Sequence, residues 1–143
     1  GTVINMASRS ATVNTPLGAN YATAKAGLVR ATGCLQLEAD LDDFHNIKFS
    51  AIHAGAARTN MQTPLDPDVS ALCPDIADAY AKFASNFRCH PALCGQTYVF
   101  LAAGRGKVLK GRHFECEQHL GHIVSSSEEI ATKSLYELTV QFL

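Results

Sequence analysis

The chain has 143 residues, with 12 Lys plus Arg against 13 Asp plus Glu and a formal charge of −1. That balance supplies no electrostatic pull toward nucleic acid or an anionic membrane. Apolar residues make up 47% and charged residues 17%, enough to build a core and too apolar for a disordered chain.

In chain order, Thr2, Val3 and Ile4 open a short buried strand over residues 2–7. A domain that opens inside a strand suggests a piece of something longer. Residues 8–19, with Pro16 and Gly18, read as a loop. A helix follows from Asn20, a suitable cap, to about Leu41; Leu28, Val29, Ala31 and Leu35 lie at helical spacings, and Ala24, Gly27 and Ala31 thin one face. Residues 47–53 read as a second strand and 54–73 as a loop. Helices are expected over 74–87, with Pro74 in the first turn, and over 91–103, stopped by Gly104 and Gly106. Residues 112–116 read as a third strand and 125–142 as one amphipathic helix, with Glu128 and Glu129 near its N-terminus. Strands alternating with helices predict an α/β fold with a parallel sheet. No apolar run approaches the roughly 18 residues of a membrane helix, and no secretory-type opening is visible.

Five cysteines, an odd number with no Cys-x-x-Cys pair, argue against a disulfide framework and a zinc ribbon. A reduced, cytoplasmic setting is the expectation. Cys89-His90-x-x-x-Cys94 and Cys116-x-x-His119-x-x-His122 place soft ligands close together, but neither completes a four-ligand spacing, and no metal site is assigned.

The chemistry-bearing group begins with Tyr21-Ala-Thr-Ala-Lys25. Four residues apart, phenol and ammonium share one helix face. A neighbouring cation favours phenolate, and such a phenol can give a proton to a carbonyl or take one from an alcohol. Ser8 closes the first strand thirteen residues earlier. In a parallel sheet, a strand end and the start of the next helix face the edge where ligands gather.

Val3-Ile-Asn-Met-Ala-Ser8, then Tyr21-x-x-x-Lys25, then His53-Ala-Gly-Ala-Ala-Arg-Thr59-Asn-Met61 together resemble the second half of a short-chain dehydrogenase/reductase. Arg112-His-Phe-Glu115 sits where that family's last strand sits. The resemblance covers about residues 1–118, with 119–143 left as a helical extension, and implies the C-terminal half of a doubly wound, Rossmann-like, three-layer sheet. It implies that Ser8 positions a substrate carbonyl and that Tyr21 is the general acid/base. It implies that Lys25 makes the phenol more acidic and holds the nicotinamide ribose. It also implies that Gly55, Ala57 and Thr59 form the loop touching the carboxamide and phosphates of NAD or NADP. The implied function is hydride transfer between that cofactor and a carbonyl or secondary alcohol.

The chain departs from the pattern in three places. Ala54 stands where the family usually has Pro, and Ala7 where it usually has Ser. The family's first half, with its Gly-rich turn and its NAD-or-NADP selector, has no counterpart here; Gly104-x-Gly106 follows a helix. Such a remnant would leave the edge of its first strand open, so the rival expectation is a truncated, non-catalytic domain that acts by association. The small-residue face of helix 20–41 permits a homo-oligomer or packing on its own sheet. His53 reads as structural. Met61, Leu65, Val69 and Leu72, in the stretch 60–75 that shapes specificity in the family, point to an apolar or mid-sized substrate.

Overall fold

The computed structural model describes residues 1–16, 18–60 and 65–140. Three strands form one parallel sheet: β1 (Thr2–Met6), β2 (Lys48–His53) and β3 (His113–Glu115), in the order β1-β2-β3. Thr2 faces Lys48 and Met6 faces Ile52; Ala51 faces His113 and His53 faces Glu115. All three C-terminal ends therefore lie along one edge.

Successive residues of a strand point to opposite faces, and β2 uses both. Ile52 is fully buried with Leu101, Leu109, Phe114, Cys116, Ile123 and Ile130. Ala51, also fully buried, packs with Ala7, Ala11 and Val29. One face thus carries helices α4 (Ala92–Ala102), α5 (Leu120–Ser125) and α6 (Ser127–Thr132), and the other carries α1 (Ala19–Leu41). This is a three-layer α/β arrangement and a partial Rossmann-like fold.

Helix α1 seats on the sheet through Val29, Thr32, Gln36 and Ala39. Two of these are polar, and their hydrogen bonds are met across the layers. Thr32 Oγ1 accepts from Asn5 Nδ2 at 2.8 Å and donates to Leu28 O at 2.8 Å. Gln36 Oε1 accepts from Phe49 N–H at 2.8 Å. The apolar periodicity misplaces this face: Ala31 and Leu35 are exposed, as are Ala24 and Gly27. Asn20 does not cap the helix. Gly18 N–H closes a turn onto Thr15 O, and Ala22 N–H bonds Gly18 O, so the chain enters the helix before Asn20.

The stretch 54–73 contains a helix that the sequence reading missed, α2 (Pro67–Leu72). Its signals are ordinary: Asp66 accepts from Asp68 N–H at 2.8 Å and Pro67 occupies the first turn. Val69 and Leu72 are exposed on it, and Met61 lies outside the described residues. Helix α3 (Pro74–Ala84) ends before residue 87. Gly104, at φ +76°, follows α4.

A single helix over 125–142 does not form. After α5 and α6, the backbone takes positive φ at Ser134 (49°) and Tyr136 (65°). The segment then runs as a strap: His113 N–H donates to Tyr136 O at 2.8 Å, Arg112 Nε to Leu135 O at 3.0 Å, and Arg30 to Leu138 O. Leu138 packs against the Ala7–Ala11–Val29–Ala51 cluster. Burying that side chain and meeting the free edge of β3 outweigh the helical periodicity; Phe142 lies outside the described residues. Among the described residues, no helix is long and apolar enough to cross a membrane.

Candidate functional site

The C-terminal ends of β1, β2 and β3 each lead into a turn that carries polar groups. After β1, Ser8 starts a 3-10 turn over Arg9–Ala11. Its Oγ accepts from Ser10 N–H at 3.2 Å, and the residue is buried at 7% exposure. A hydroxyl that accepts one hydrogen bond still has its own proton to donate.

Lys25 lies in the second turn of α1. Its ammonium donates to Met6 O, the last carbonyl of β1, at 2.8 Å. The same ammonium stands 5.6 Å from the centroid of the Tyr21 ring, within cation–π range. Tyr21 itself is 42% exposed. Lys25 thus draws the start of α1 to the tip of β1, two residues before Ser8.

After β2, Gly55 turns the chain at φ +81°. Ala57 N–H bonds Gly55 O at 2.8 Å, and Ala57 bridges to Cys89. Thr59 follows in the same loop. Gly55, Ala57 and Thr59 therefore sit at the sheet edge that also holds Ser8 and Lys25.

Charged groups that the sequence reading did not single out occupy the same edge. Arg9 Nε donates to Glu115 Oε1 at 2.7 Å, and its Nη2 donates to Glu117 at 2.9 Å. Glu117 Oε2 accepts from Ala56 N–H at 3.3 Å, and its Oε1 accepts from Cys89 Sγ at 2.9 Å. Arg9 holds the Glu115 carboxyl below the usual carboxylate range. The hydrogen bond from Cys89 does the same for Glu117, and Glu117 in turn raises the Cys89 thiol. His53, half-buried at the end of β2, is lowered by burial, with Glu115 opposing. The available signal was two glutamates, Glu115 and Glu117, spaced two apart at the end of a predicted strand.

Two of the histidines weighed as ligands have local partners. His90 Nδ1 accepts from Ala92 N–H, and His119 Nδ1 accepts from His122 N–H, each at 3.1 Å.

The family model described as short chain dehydrogenase matches residues 1–70. That stretch holds β1, Ser8, Tyr21, Lys25, β2 and the Gly55–Thr59 loop. Residues 1–70 are therefore similar to a piece of a short chain dehydrogenase. Two curated relatives carry that name as well. The short chain dehydrogenase mpl6 of Monascus purpureus and the short chain dehydrogenase citE of Monascus ruber are each 27% identical over 131 residues. The matched region is 90% of this chain and 38% of each relative, so the chain spans well under half the length of these dehydrogenases.

For a short chain dehydrogenase, the fit to a nicotinamide cofactor divides. The ribose end fits: an ammonium has three donors, and the bond to Met6 leaves Lys25 capacity for hydroxyls. The pyrophosphate end does not: among the described residues, no Gly-rich turn follows a strand and opens a helix.

Proposed function

We propose that this chain supplies the proton-transfer part of an NAD- or NADP-dependent oxidoreductase acting on a carbonyl or secondary alcohol. The observation that supports it is the Lys25 ammonium, bonded to the tip of β1 beside Ser8 and 5.6 Å from the Tyr21 ring. In this reading the substrate oxygen sits between Ser8 and Tyr21. Ser8 donates a hydrogen bond to it. Tyr21 gives its proton to that oxygen in reduction and removes one from the alcohol in oxidation. Lys25 orients the ring and holds the ribose hydroxyls, while Gly55, Ala57 and Thr59 line the nicotinamide side. The cofactor, when bound, supplies or takes up the hydride. Tyr21→Phe, made in the protein together with any coding sequence upstream of Gly1, is expected to reduce turnover by about 10²–10⁴-fold. The melting temperature should hold, because Tyr21 is an exposed side chain. Near-wild-type turnover in that variant overturns the role.

A second reading has its own observation. Strand β1 pairs with β2 alone among the described strands, and Val3 and Met6 are exposed on it. An open, apolar edge favours association, which is the behaviour of a non-catalytic domain. Titrating the 143-residue chain with NADH and NADPH tests whether its cofactor site is only half present. Weak binding is expected of a chain holding only the ribose end, and micromolar binding contradicts that half-site. The exposed Ala24–Gly27–Ala31 face of α1 is proposed as a self-association surface, measured by light scattering of the native chain against Gly27→Glu.

A further inference from the structure

Glu117 touches three separate segments at the sheet edge, and none of them is its sequence neighbour. It accepts from Arg9 Nη2 at 2.9 Å, from Ala56 N–H at 3.3 Å and from Cys89 Sγ at 2.9 Å. Arg9 is the residue after Ser8. Ala56 sits in the loop that opens with Gly55, and Cys89 is hydrogen-bonded by its backbone to the same loop. The close approach is built in: a Cβ on Gly55 would lie 3.0 Å from Glu117 Cγ. The second carboxylate, Glu115, takes Arg9 Nε at 2.7 Å and fixes the plane of the guanidinium.

We infer that Glu117 is a positioning residue that clamps the Gly55–Thr59 loop to the turn carrying Ser8. A guanidinium bridging two carboxylates has fixed fork geometry, so the Ser8 turn cannot shift without moving Glu117. Glu117 cannot shift without releasing the Ala56 amide. The clamp sets the gap between the hydroxyl that would hold a substrate oxygen and the loop that would face nicotinamide. Its meaning for catalysis rests on the oxidoreductase reading; its existence does not.

Cys89 reports on the clamp without any cofactor. Its thiol is raised first by the bond to Glu117, with burial adding, and is opposed by the Ala56 backbone and Arg9. The 143-residue chain is treated with iodoacetamide at pH 8, and each cysteine is followed by peptide mass mapping. Glu117→Gln is expected to speed Cys89 alkylation at least about threefold, because the thiolate loses its carboxylate neighbour. Arg9→Gln is expected to slow it, because the carboxylate stays and the cation goes. Opposite signs in two variants exclude general loosening, which speeds both. Cys116, buried and pushed up to about 12, serves as the folding control and should stay protected throughout. Glu117→Asp should restore slow alkylation in part. Amide exchange should rise together in peptides spanning 8–12 and 54–60 for Glu117→Gln. Equal Cys89 rates in wild type and both variants, with Cys116 protected, overturn the clamp. If Glu117→Gln exposes Cys116, the Arg9→Gln arm decides: slower Cys89 alkylation supports the clamp, and an unchanged rate overturns it. A clamp seen in these readouts, alongside absent NAD(P)-dependent turnover of the protein that includes any coding sequence upstream of Gly1, removes the oxidoreductase reading and leaves the clamp standing.

Discussion

At Gly55 one missing side chain permits two loops to meet. Its φ of +81° lies in the left-handed region, and Glu117 fills the space a Cβ would need. Gly55→Ala is therefore expected to cost about 1–2 kcal/mol in a urea titration. Gly95, inside α4 with nothing within 4 Å of a built Cβ, provides the contrast. Gly95→Ala should stabilise by about 0.5–1 kcal/mol, because it removes backbone freedom from a helix without a clash. Equal effects at the two sites would count against the loop geometry. The sequence indicated Gly55 through the resemblance of its loop, yet its packing partner was invisible: Glu117 is remote in the chain and approaches only once β2 and β3 pair.

Elements show the same division. The parallel strands and α1 were legible from β-branched runs and helical spacing, to within a residue or two at the ends. The buried face of α1 was not, because it is written in Thr32 and Gln36. Polar side chains enter a core only when their partners are already placed, here Asn5 and the Phe49 amide. Gln36→Leu should cost about 1–3 kcal/mol by leaving the Phe49 N–H unpaired, measured as a lower urea midpoint. The strap after α6 is the larger departure. Its apolar residues recur at helical spacing, but Leu138 packs against the Ala7–Ala11–Val29–Ala51 cluster, its carbonyl accepts from Arg30, and the Leu135 carbonyl accepts from Arg112. Leu138→Ala is expected to lower stability by about 1 kcal/mol, the value of a half-buried leucine. An unchanged melting temperature would place the strap off the core.

For the molecule as a whole, acid is the weak side. His113 is buried at 8% exposure, and His53 is half-buried; burial lowers both below 6.5. Glu115 acts on both imidazoles in the opposite sense, Arg9 adds to the lowering at His53, and His53 adds to it at His113. The unfolded chain then binds more protons than the folded one as pH drops through 6.5. Stability is full above that value and declines as pH falls toward the lowered folded values. Glu115 and Glu117, held below 4.5, add a second loss that begins under pH 4.5. Urea midpoints should be level from pH 8 to 7 and fall by pH 5.5; a flat profile to 5.5 contradicts the histidine contribution. The open β1 edge gives the molecule a second collective property. Val3→Lys should reduce concentration-dependent light scattering, since charge on an edge strand opposes edge pairing.

What the sequence determined by itself was local or carried by spacing: three short strands, one long helix, the Ser8–Tyr21–Lys25 order and a glycine where the chain must turn. These follow from side-chain branching, hydrophobic period and backbone freedom, which need no distant partner. Tertiary structure alone decided which polar residues enter the core, where the C-terminal strap lies, and that Arg9, Glu117 and Cys89 converge. Those contacts join residues dozens of positions apart, and charge and hydrogen bonding select among them only after the parallel sheet has brought its three strand ends to one edge.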